Sequence, residues 1–186
     1  IEKSVFQPYL LHGVTGSGKT EIYLRCIQLV LDLNKSAIMV VPEISLTPQT
    51  VLRFRQRFGN KVAVLHSGLT QKERFIEWKK IRDEKVLIAV GARSAIFAPF
   101  KSLGIIVIDE EHDTSYKQDS CPRYHARDSA IVRAQKQNAL VLLGSATPSL
   151  ESIKNAEKGK YHYLSLEKRV HNRMLPIVKV INMKQK

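Results

Sequence analysis

Residues 10–20 read LLHGVTGSGKT, in which an apolar segment leads into the pattern G-x-x-x-x-G-K-T. Glycines in such a pattern let backbone N–H groups turn inward around phosphate oxygens, and the helix that follows presents its positive end to the same anion. The flanking segments supply the strand and the helix that a phosphate-binding loop requires, which disfavours a chance match. The sequence therefore predicts that ATP or a related triphosphate is bound by Gly13, Thr15, Gly16, Ser17, Gly18, Lys19 and Thr20.

A cluster of acidic residues follows the apolar segment 104–108, where residues 109–112 read DEEH. Sites in α/β sheets are built at the carboxyl ends of strands, which is where this cluster would lie. Asp109 is predicted to hold Mg²⁺ opposite Thr20, and Glu110 is predicted to orient or deprotonate the attacking water. A solvated acidic turn is the alternative, but the phosphate loop upstream favours catalysis, with Lys19 at the terminal phosphates.

A third pattern, GSATP at residues 144–148, follows another apolar segment. The hydroxyl groups of Ser145 and Thr147 could donate hydrogen bonds to the acidic cluster and so respond to the bound nucleotide. By itself the pattern is equally typical of a helix N-cap before Pro148. The sequence leaves these two interpretations open.

Short segments rich in Val, Ile and Leu alternate along the chain with amphipathic ones. These segments do not alternate apolar and polar residues, so they are typical of strands buried on both faces of a parallel sheet. An α/β fold, with a mostly parallel sheet flanked by helices, is predicted. Strands are expected at residues 9–12, 37–41, 61–65, 86–90, 105–109, 139–143, 161–166 and 177–181, and helices at 19–33, 47–58, 70–82, 125–137 and 148–158. The first helix is expected to bury Ile22, Cys26, Leu29, Val30 and Leu33.

The composition favours a polyanionic partner. The 186 residues include 30 Lys and Arg against 17 Asp and Glu, a net charge of +13. Such a surplus suits phosphate binding, although a basic surface that serves only solubility has the same composition. No apolar run is long enough for a membrane span. Two cysteines 95 positions apart form neither a disulfide framework nor a zinc motif, which fits a cytoplasmic protein.

Taken together, the three patterns resemble motifs I, II and III of superfamily 2 helicases. Further text, VPEISLTPQ at 41–49, GARSAIFAPF at 91–100 and RYHARD at 123–128, is similar to the bacterial primosomal helicases that restart stalled replication. The resemblance spans nearly the whole chain. It implies that His112 couples ATP to DNA and acts with the catalytic residues. It also implies that a further group of residues contacts the single-strand backbone or couples it to hydrolysis, namely Pro42, Glu43, Gly91, Ala92, Arg93, Ser145 and Thr147.

Residues 115–127 resemble the aromatic-rich loop of these helicases and of RecQ helicases. Aromatic faces stack on bases, and interleaved cations hold the nucleic-acid backbone. The resemblance therefore implies DNA contacts or coupling by Tyr116, Lys117, Arg123 and Tyr124, with His125 and Arg127 in the same loop. Some relatives carry a large aromatic residue where this chain has Cys121 and Pro122. A surface loop whose tyrosines pack on their neighbours is the structural alternative.

The resemblance also implies an organisation for the chain. Residues 1–158 would form the first RecA-like lobe of the motor, and 159–186 a linker and the start of a second lobe. ATP and Mg²⁺ would be the cofactors, with zinc bound only in a part of the full-length protein outside this chain. Single-stranded and forked DNA, primosome proteins and single-strand-binding protein would be the partners. Without the second lobe and its arginine finger, worth ~10³–10⁵ in rate, the isolated chain is expected to bind ATP weakly and to hydrolyse it poorly.

Three other functions are compatible with the residues alone. An RNA helicase of the same superfamily would need the same motor motifs. A small-molecule P-loop kinase would need a lid and a substrate pocket, but it would not need Arg93 or the loop at 115–127. A passive nucleic-acid-binding module with a degenerate nucleotide site would not need Glu110. The helicase interpretation is preferred because it accounts for all of these elements together.

Overall fold

The computed structural model describes residues 6–170, and seven strands in this range form one parallel sheet. The strands are β1 (Tyr9–Gly13), β2 (Ser36–Val40), β3 (Val62–Leu65), β4 (Ile88–Gly91), β5 (Leu103–Asp109), β8 (Leu140–Ser145) and β9 (His162–Leu166). Their order across the sheet is β3-β4-β2-β5-β8-β1-β9, and every pair is parallel. Each predicted apolar segment in the described range is a strand, and the predicted fold class is confirmed.

Within the described residues, five α-helices connect the strands and cover both faces of the sheet. They are α1 (Lys19–Asp32), α2 (Pro48–Phe58), α3 (Gln71–Arg82), α4 (Ala126–Gln137) and α5 (Leu150–Glu157). One apolar core packs α1 and α2 against the sheet, and the other packs α3 and α4 on the opposite face. A small antiparallel hairpin, β6 (Lys117–Gln118) with β7 (Tyr124–His125), stands apart from the main sheet. Because both faces are covered, the strands need apolar side chains on both sides, as the sequence indicates.

Two of the predicted helix starts are confirmed in their details. The Thr47 hydroxyl accepts a hydrogen bond from the Thr50 backbone N–H at the start of α2. Thr70 and Glu73 form a complete capping box at the start of α3. The fifth helix begins at Leu150 rather than Pro148, because the Ser149 hydroxyl is its N-cap. Side-chain oxygens at these caps satisfy N–H groups that have no partner within the helix.

The buried face of α1 differs from the expected one. The helix buries Tyr23, Ile27, Val30 and Leu31, while Leu29 and Leu33 are 65% and 70% exposed. The phosphate loop fixes how α1 begins, with the Lys19 side chain turned inward. Residues four, eight and eleven positions later must then face the sheet, because a helix repeats every 3.6 residues. Val30 belongs to both the predicted and the observed face, and Ile22 and Cys26 are half-buried at the edge of the same core.

Strand β9 pairs with β1 in the same sheet, so the sheet continues to Leu166, beyond the boundary expected at residue 158. The strand expected at 177–181 and most of the proposed linker lie outside the described residues. A second lobe that begins after this sheet remains a prediction. Within residues 6–170, each helix is too short or too polar to cross a membrane.

Candidate nucleotide-binding site

The phosphate loop connects the C-terminal end of β1 to the first turn of α1. Gly16 and Gly18 have φ angles of +80° and +93°, a left-handed conformation that glycine adopts without strain. The Ser17 N–H donates to the Val14 carbonyl at 2.9 Å, which closes the turn. The buried Lys19 ammonium reaches back over the loop and donates to the Gly13 carbonyl at 2.6 Å. The loop therefore has the curled backbone and the central cation that a phosphate group requires.

Loop and acidic cluster meet in a single cleft of about 440 Å³. Lys19 and Thr20 lie on one side of it, and Asp109 and Glu110 on the other. They come together because β1 and β5 run parallel, with only β8 between them, so their carboxyl ends share one edge of the sheet. Arg53 of α2 also lines the cleft, a cation that the sequence motifs did not indicate.

Asp109 is held in place from two sides of the fold. The Tyr23 hydroxyl and the Glu110 N–H both donate to its Oδ1, at 3.0 and 3.1 Å. The Tyr116 hydroxyl donates to its backbone carbonyl at 2.5 Å. Burial raises the pKa of the Asp109 carboxyl, and the neighbouring Glu110 carboxylate raises it further. Keeping the Asp109 carboxylate ionised therefore costs free energy unless a cation lies next to it.

These residues fit a triphosphate with Mg²⁺. The Ser17 hydroxyl is buried and has no hydrogen-bond partner among residues 6–170, so it can accept a hydrogen bond from a bound group or donate one to it. Among residues 6–170, no hydrogen bond reaches Asp109 Oδ2, which leaves this oxygen available in the cleft with Thr20. No three His, Cys, Asp or Glu side chains of that range form a metal cluster. The cleft therefore fits a cation that is held partly by the protein and partly by phosphate oxygens, as Mg²⁺ usually is.

Substituting Asp109→Asn should stabilise the unliganded fold at neutral pH, because the pKa of the Asp109 carboxyl is raised by burial. The asparagine Oδ1 keeps both donors, while the charge penalty disappears. Because the folded-state pKa of Asp109 is raised, wild-type stability falls as pH rises from the ordinary carboxyl value of 3.8 through the raised one. Thermal unfolding at acidic and neutral pH, without Mg²⁺, checks this. If Asp109→Asn stabilised the fold as much at acidic pH as at neutral pH, this prediction would be contradicted.

His112 links the second and third motifs. Its Nδ1 lies 2.8 Å from the buried Ser145 hydroxyl, and its Nε2 lies 3.4 Å from the Thr147 hydroxyl. The Glu110 carboxylate approaches the same Nδ1 at 3.7 Å. Glu110 itself has φ +45°, a left-handed conformation that is uncommon outside glycine. Any movement of Glu110 in response to nucleotide can therefore reach the third motif through one imidazole.

Glu111 has a structural role that the sequence did not reveal. Its carboxylate is fully buried and pairs with Arg127 at 3.1 Å. It also accepts hydrogen bonds from the Ser149 N–H at 2.7 Å and from the Ser152 hydroxyl at 2.8 Å. This network joins the acidic cluster to α4 and to the N-terminus of α5. The partners come from distant parts of the chain, so no local pattern marks them.

Arg93 anchors the aromatic-rich loop. Its guanidinium donates to the backbone carbonyls of Ser115 and Lys117, at 3.1 and 2.7 Å. It also lies over the Tyr124 ring, 5.9 Å from the centroid, and Phe97 packs edge-on against the same ring at 5.0 Å. In this structure Arg93 therefore holds the loop rather than standing free as a phosphate ligand.

One residue expected to contact DNA or to couple it to hydrolysis is buried, and Arg127 of the same loop is held in an ion pair. Tyr116 is 0% exposed, so its ring offers no face to a base, and this part of the expectation is wrong. Its position follows from the hydroxyl, which has its acceptor inside the fold at Asp109. The Arg127 side chain is 12% exposed and paired with Glu111. Lys117 and Arg123 remain exposed, and Tyr124 is half-buried.

The other residues assigned to DNA lie along the same edge of the sheet. Pro42 follows β2, and Gly91 ends β4, where a Cβ would lie 2.3 Å from the Leu65 carbonyl. A groove of about 320 Å³ brings Glu43 next to Arg93 and the start of the aromatic-rich loop. The Glu43 carboxylate accepts a hydrogen bond from the Ser67 hydroxyl. The structure thus brings Glu43, Ala92 and Arg93, which are expected to contact the strand, into one groove with the start of the aromatic-rich loop.

A phosphate loop after a parallel strand, facing a carboxylate at the end of another strand, defines a P-loop nucleotide-binding lobe with RecA-like architecture. The chain belongs to the DEAD/DEAH box helicase family, whose sequence model matches residues 3–156.

Two curated relatives are named replication restart protein PriA. The protein from Bacillus subtilis (strain 168) is 59% identical over 177 residues, which are 95% of this chain and 22% of the relative. The protein from Haemophilus influenzae (strain ATCC 51907 / DSM 11121 / KW20 / Rd) is 56% identical over 169 residues, 91% of this chain and 23% of the relative. The chain thus spans about a quarter or less of the length of these relatives.

Solved structures with the same fold include RecG bound to a three-way DNA junction. Its TM-score is 0.65 at 23% identity, covering 91% of this chain and 22% of RecG. A hypothetical ATP-dependent RNA helicase from Sulfolobus tokodaii gives a TM-score of 0.60 at 21% identity, covering 87% of this chain and 48% of that one. At such low identity the likeness establishes the fold alone.

Proposed function

We propose that the chain is the ATP-binding motor lobe of an ATP-dependent DNA helicase that acts in replication restart. The observation that carries the proposal is the cleft that the phosphate loop shares with Asp109 and Glu110. Identity of 59% to a replication restart protein over 95% of the chain supports the cellular role. The net charge of +13 suits a nucleic-acid partner. Single-stranded and forked DNA, primosome proteins, single-strand-binding protein and a cytoplasmic location remain parts of this proposal.

The residues of the cleft divide the work of phosphoryl transfer to water. Lys19 and the loop amides bind the terminal phosphates, and Thr20 with Asp109 would hold Mg²⁺. Bound there, Mg²⁺ would neutralise charge that develops on the phosphate oxygens. Glu110 is placed to orient the attacking water and accept its proton. His112 then passes the change at Glu110 to Ser145 and Thr147.

The DNA-binding part of the proposal depends on the aromatic-rich loop and the groove beside it. Lys117 and Arg123 are exposed for phosphate contacts, and Tyr124 offers part of its ring. The loop is tied to motif II because the Tyr116 hydroxyl donates to the Asp109 carbonyl. A strand that shifts the loop would therefore act on the carboxylate of the cleft. A second motor lobe and its arginine are expected elsewhere in the full-length protein.

The substitution Glu110→Gln in the full-length protein tests the proposed chemistry. We expect DNA-stimulated ATP hydrolysis and fork unwinding to fall by about 100-fold or more, because the general base is lost. Nucleotide binding should persist, since Lys19 and the loop amides are unchanged. Glu157→Gln, at an exposed position at the end of α5, is the matched control and should retain full activity.

The same assays separate the alternative functions. Stimulation by RNA but not by DNA would indicate an RNA helicase. Transfer of phosphate to a small molecule without nucleic acid would indicate a kinase. Undiminished unwinding by the Glu110→Gln protein would refute the assigned role of Glu110.

A further inference from the structure

Tyr23 lies one helical turn after Lys19, on the side of α1 that faces the sheet. It is 0% exposed, and its hydroxyl donates to Asp109 Oδ1 at 3.0 Å. Among residues 6–170 it is the one side chain that donates a hydrogen bond to this carboxylate, because the other donor is the Glu110 backbone. The phenol thus joins the helix of the phosphate loop directly to motif II.

Gly144 provides the space that the phenol occupies. A Cβ atom at Gly144 would lie 1.7 Å from the Tyr23 hydroxyl and 2.7 Å from its Cζ, so only glycine is compatible with this position of the ring. Gly144 pairs with Asp109 in the register of β5 and β8, and its carbonyl accepts the Glu111 N–H at 3.0 Å. The hydroxyl is therefore fixed between the acidic cluster and the start of the third motif.

A purely structural tyrosine would not need this arrangement. The ring alone fills the apolar core that α1 forms with the sheet, and phenylalanine would fill it as well. The hydroxyl instead engages one oxygen of a carboxylate that the site uses, while Oδ2 receives no hydrogen bond within the described range. A hydrogen bond to one carboxylate oxygen restricts rotation of the group and so sets where the other oxygen points.

We infer that Tyr23 is a positioning residue whose hydroxyl orients the Asp109 carboxylate for Mg²⁺. The inference rests on the proposed function, because it assumes that the cleft binds a nucleotide with Mg²⁺. It assigns to α1 a second role beyond holding Lys19. It also explains why residue 144, the first of the third motif, is a glycine.

The test measures the affinity of the 186-residue chain for a fluorescent, non-hydrolysable ATP analogue in excess Mg²⁺ and in EDTA. Tyr23→Phe should bind as the wild type does in EDTA, because the phosphate loop is unchanged. In Mg²⁺ we expect its affinity to be about tenfold weaker than that of the wild type, the effect of losing a hydrogen bond to a charged group. Tyr161→Phe is the matched control, since Tyr161 lies just before β9 and is not among the residues that line the cleft, and it should behave as wild type in both buffers.

A double-mutant cycle separates orientation of Asp109 from other effects. In the Asp109→Asn background, Tyr23→Phe should cause no further loss in Mg²⁺, because the carboxylate that it orients is absent. An equal loss in both backgrounds would overturn the inference, as would equal weakening of Tyr23→Phe in Mg²⁺ and EDTA. If Tyr23→Phe kept full affinity in Mg²⁺, the inference about Tyr23 would be refuted and the proposed function would stand. If the wild-type chain bound the analogue in neither buffer, both the inference and the proposed function would be refuted.

Discussion

Lys19→Ala is expected to weaken nucleotide binding at least 100-fold, the largest loss of affinity that any single substitution in the cleft should produce. The ammonium is buried in the loop and donates to the Gly13 carbonyl at 2.6 Å, so it is already positioned where phosphate oxygens would lie. Each charge-assisted hydrogen bond that it makes to a phosphate contributes about 1.5–3 kcal/mol, and two such bonds account for the expected loss. The loop amides alone bind the anion without a neutralising charge.

The measurement is titration of the chain with a labelled ATP analogue, together with a thermal unfolding curve. The unfolding temperature should change little, because within residues 6–170 the Lys19 ammonium donates one hydrogen bond, to the Gly13 carbonyl, and forms no ion pair with a carboxylate. Lys101→Ala is the matched control, since Lys101 is 68% exposed and pairs with Glu84 far from the motifs. Unchanged affinity in the Lys19→Ala chain would remove the basis for a phosphate loop.

Local patterns predicted the parts of the molecule whose structure is set locally. The strands in the middle of the sheet were predictable because they are buried on both faces and read as continuous apolar runs, as Ile105 to Ile108 does. The phosphate loop was predictable because glycine and lysine spacing fixes its backbone. The proximity of Asp109 to this loop also followed, since parallel strands place their carboxyl ends at one edge.

What the patterns did not predict depends on contacts between distant segments. Three carboxylates are adjacent in residues 109–111, and the sequence assigns Asp109 and Glu110 to the cleft but does not indicate that Glu111 is buried. The left-handed backbone at Glu110 directs its side chain to the cleft, and Glu111 then lies beneath α5. Tyr116 reads as an exposed aromatic residue in a basic loop, yet its hydroxyl is bonded inside the fold. Burial of a polar group becomes favourable only when its partner is in place.

Removal of the Arg127 guanidinium should be the most destabilising change to the site. Arg127→Met should lower the free energy of unfolding by about 3–5 kcal/mol, because it leaves the fully buried Glu111 carboxylate without a counter-charge. The serine donors at positions 149 and 152 remain, but they cannot neutralise the charge. For a chain of this size, roughly 2–4 °C per kcal/mol corresponds to a fall in Tm of about 6–20 °C. Thermal and urea unfolding measure both quantities.

Two further variants identify the buried charge as the cause. Glu111→Gln in the Arg127→Met background should recover part of the lost stability, because the glutamine is neutral and its carbonyl still accepts from the Ser149 N–H. Arg82→Met is the control, because it removes an arginine that is 48% exposed and pairs with Asp83 at the surface. Loss of such a surface pair should lower the free energy of unfolding by less than about 1 kcal/mol. If Arg127→Met were no more destabilising than Arg82→Met, the buried pair would not be what fixes Glu111. The acidic cluster would then owe its position to the two serines and the strand alone.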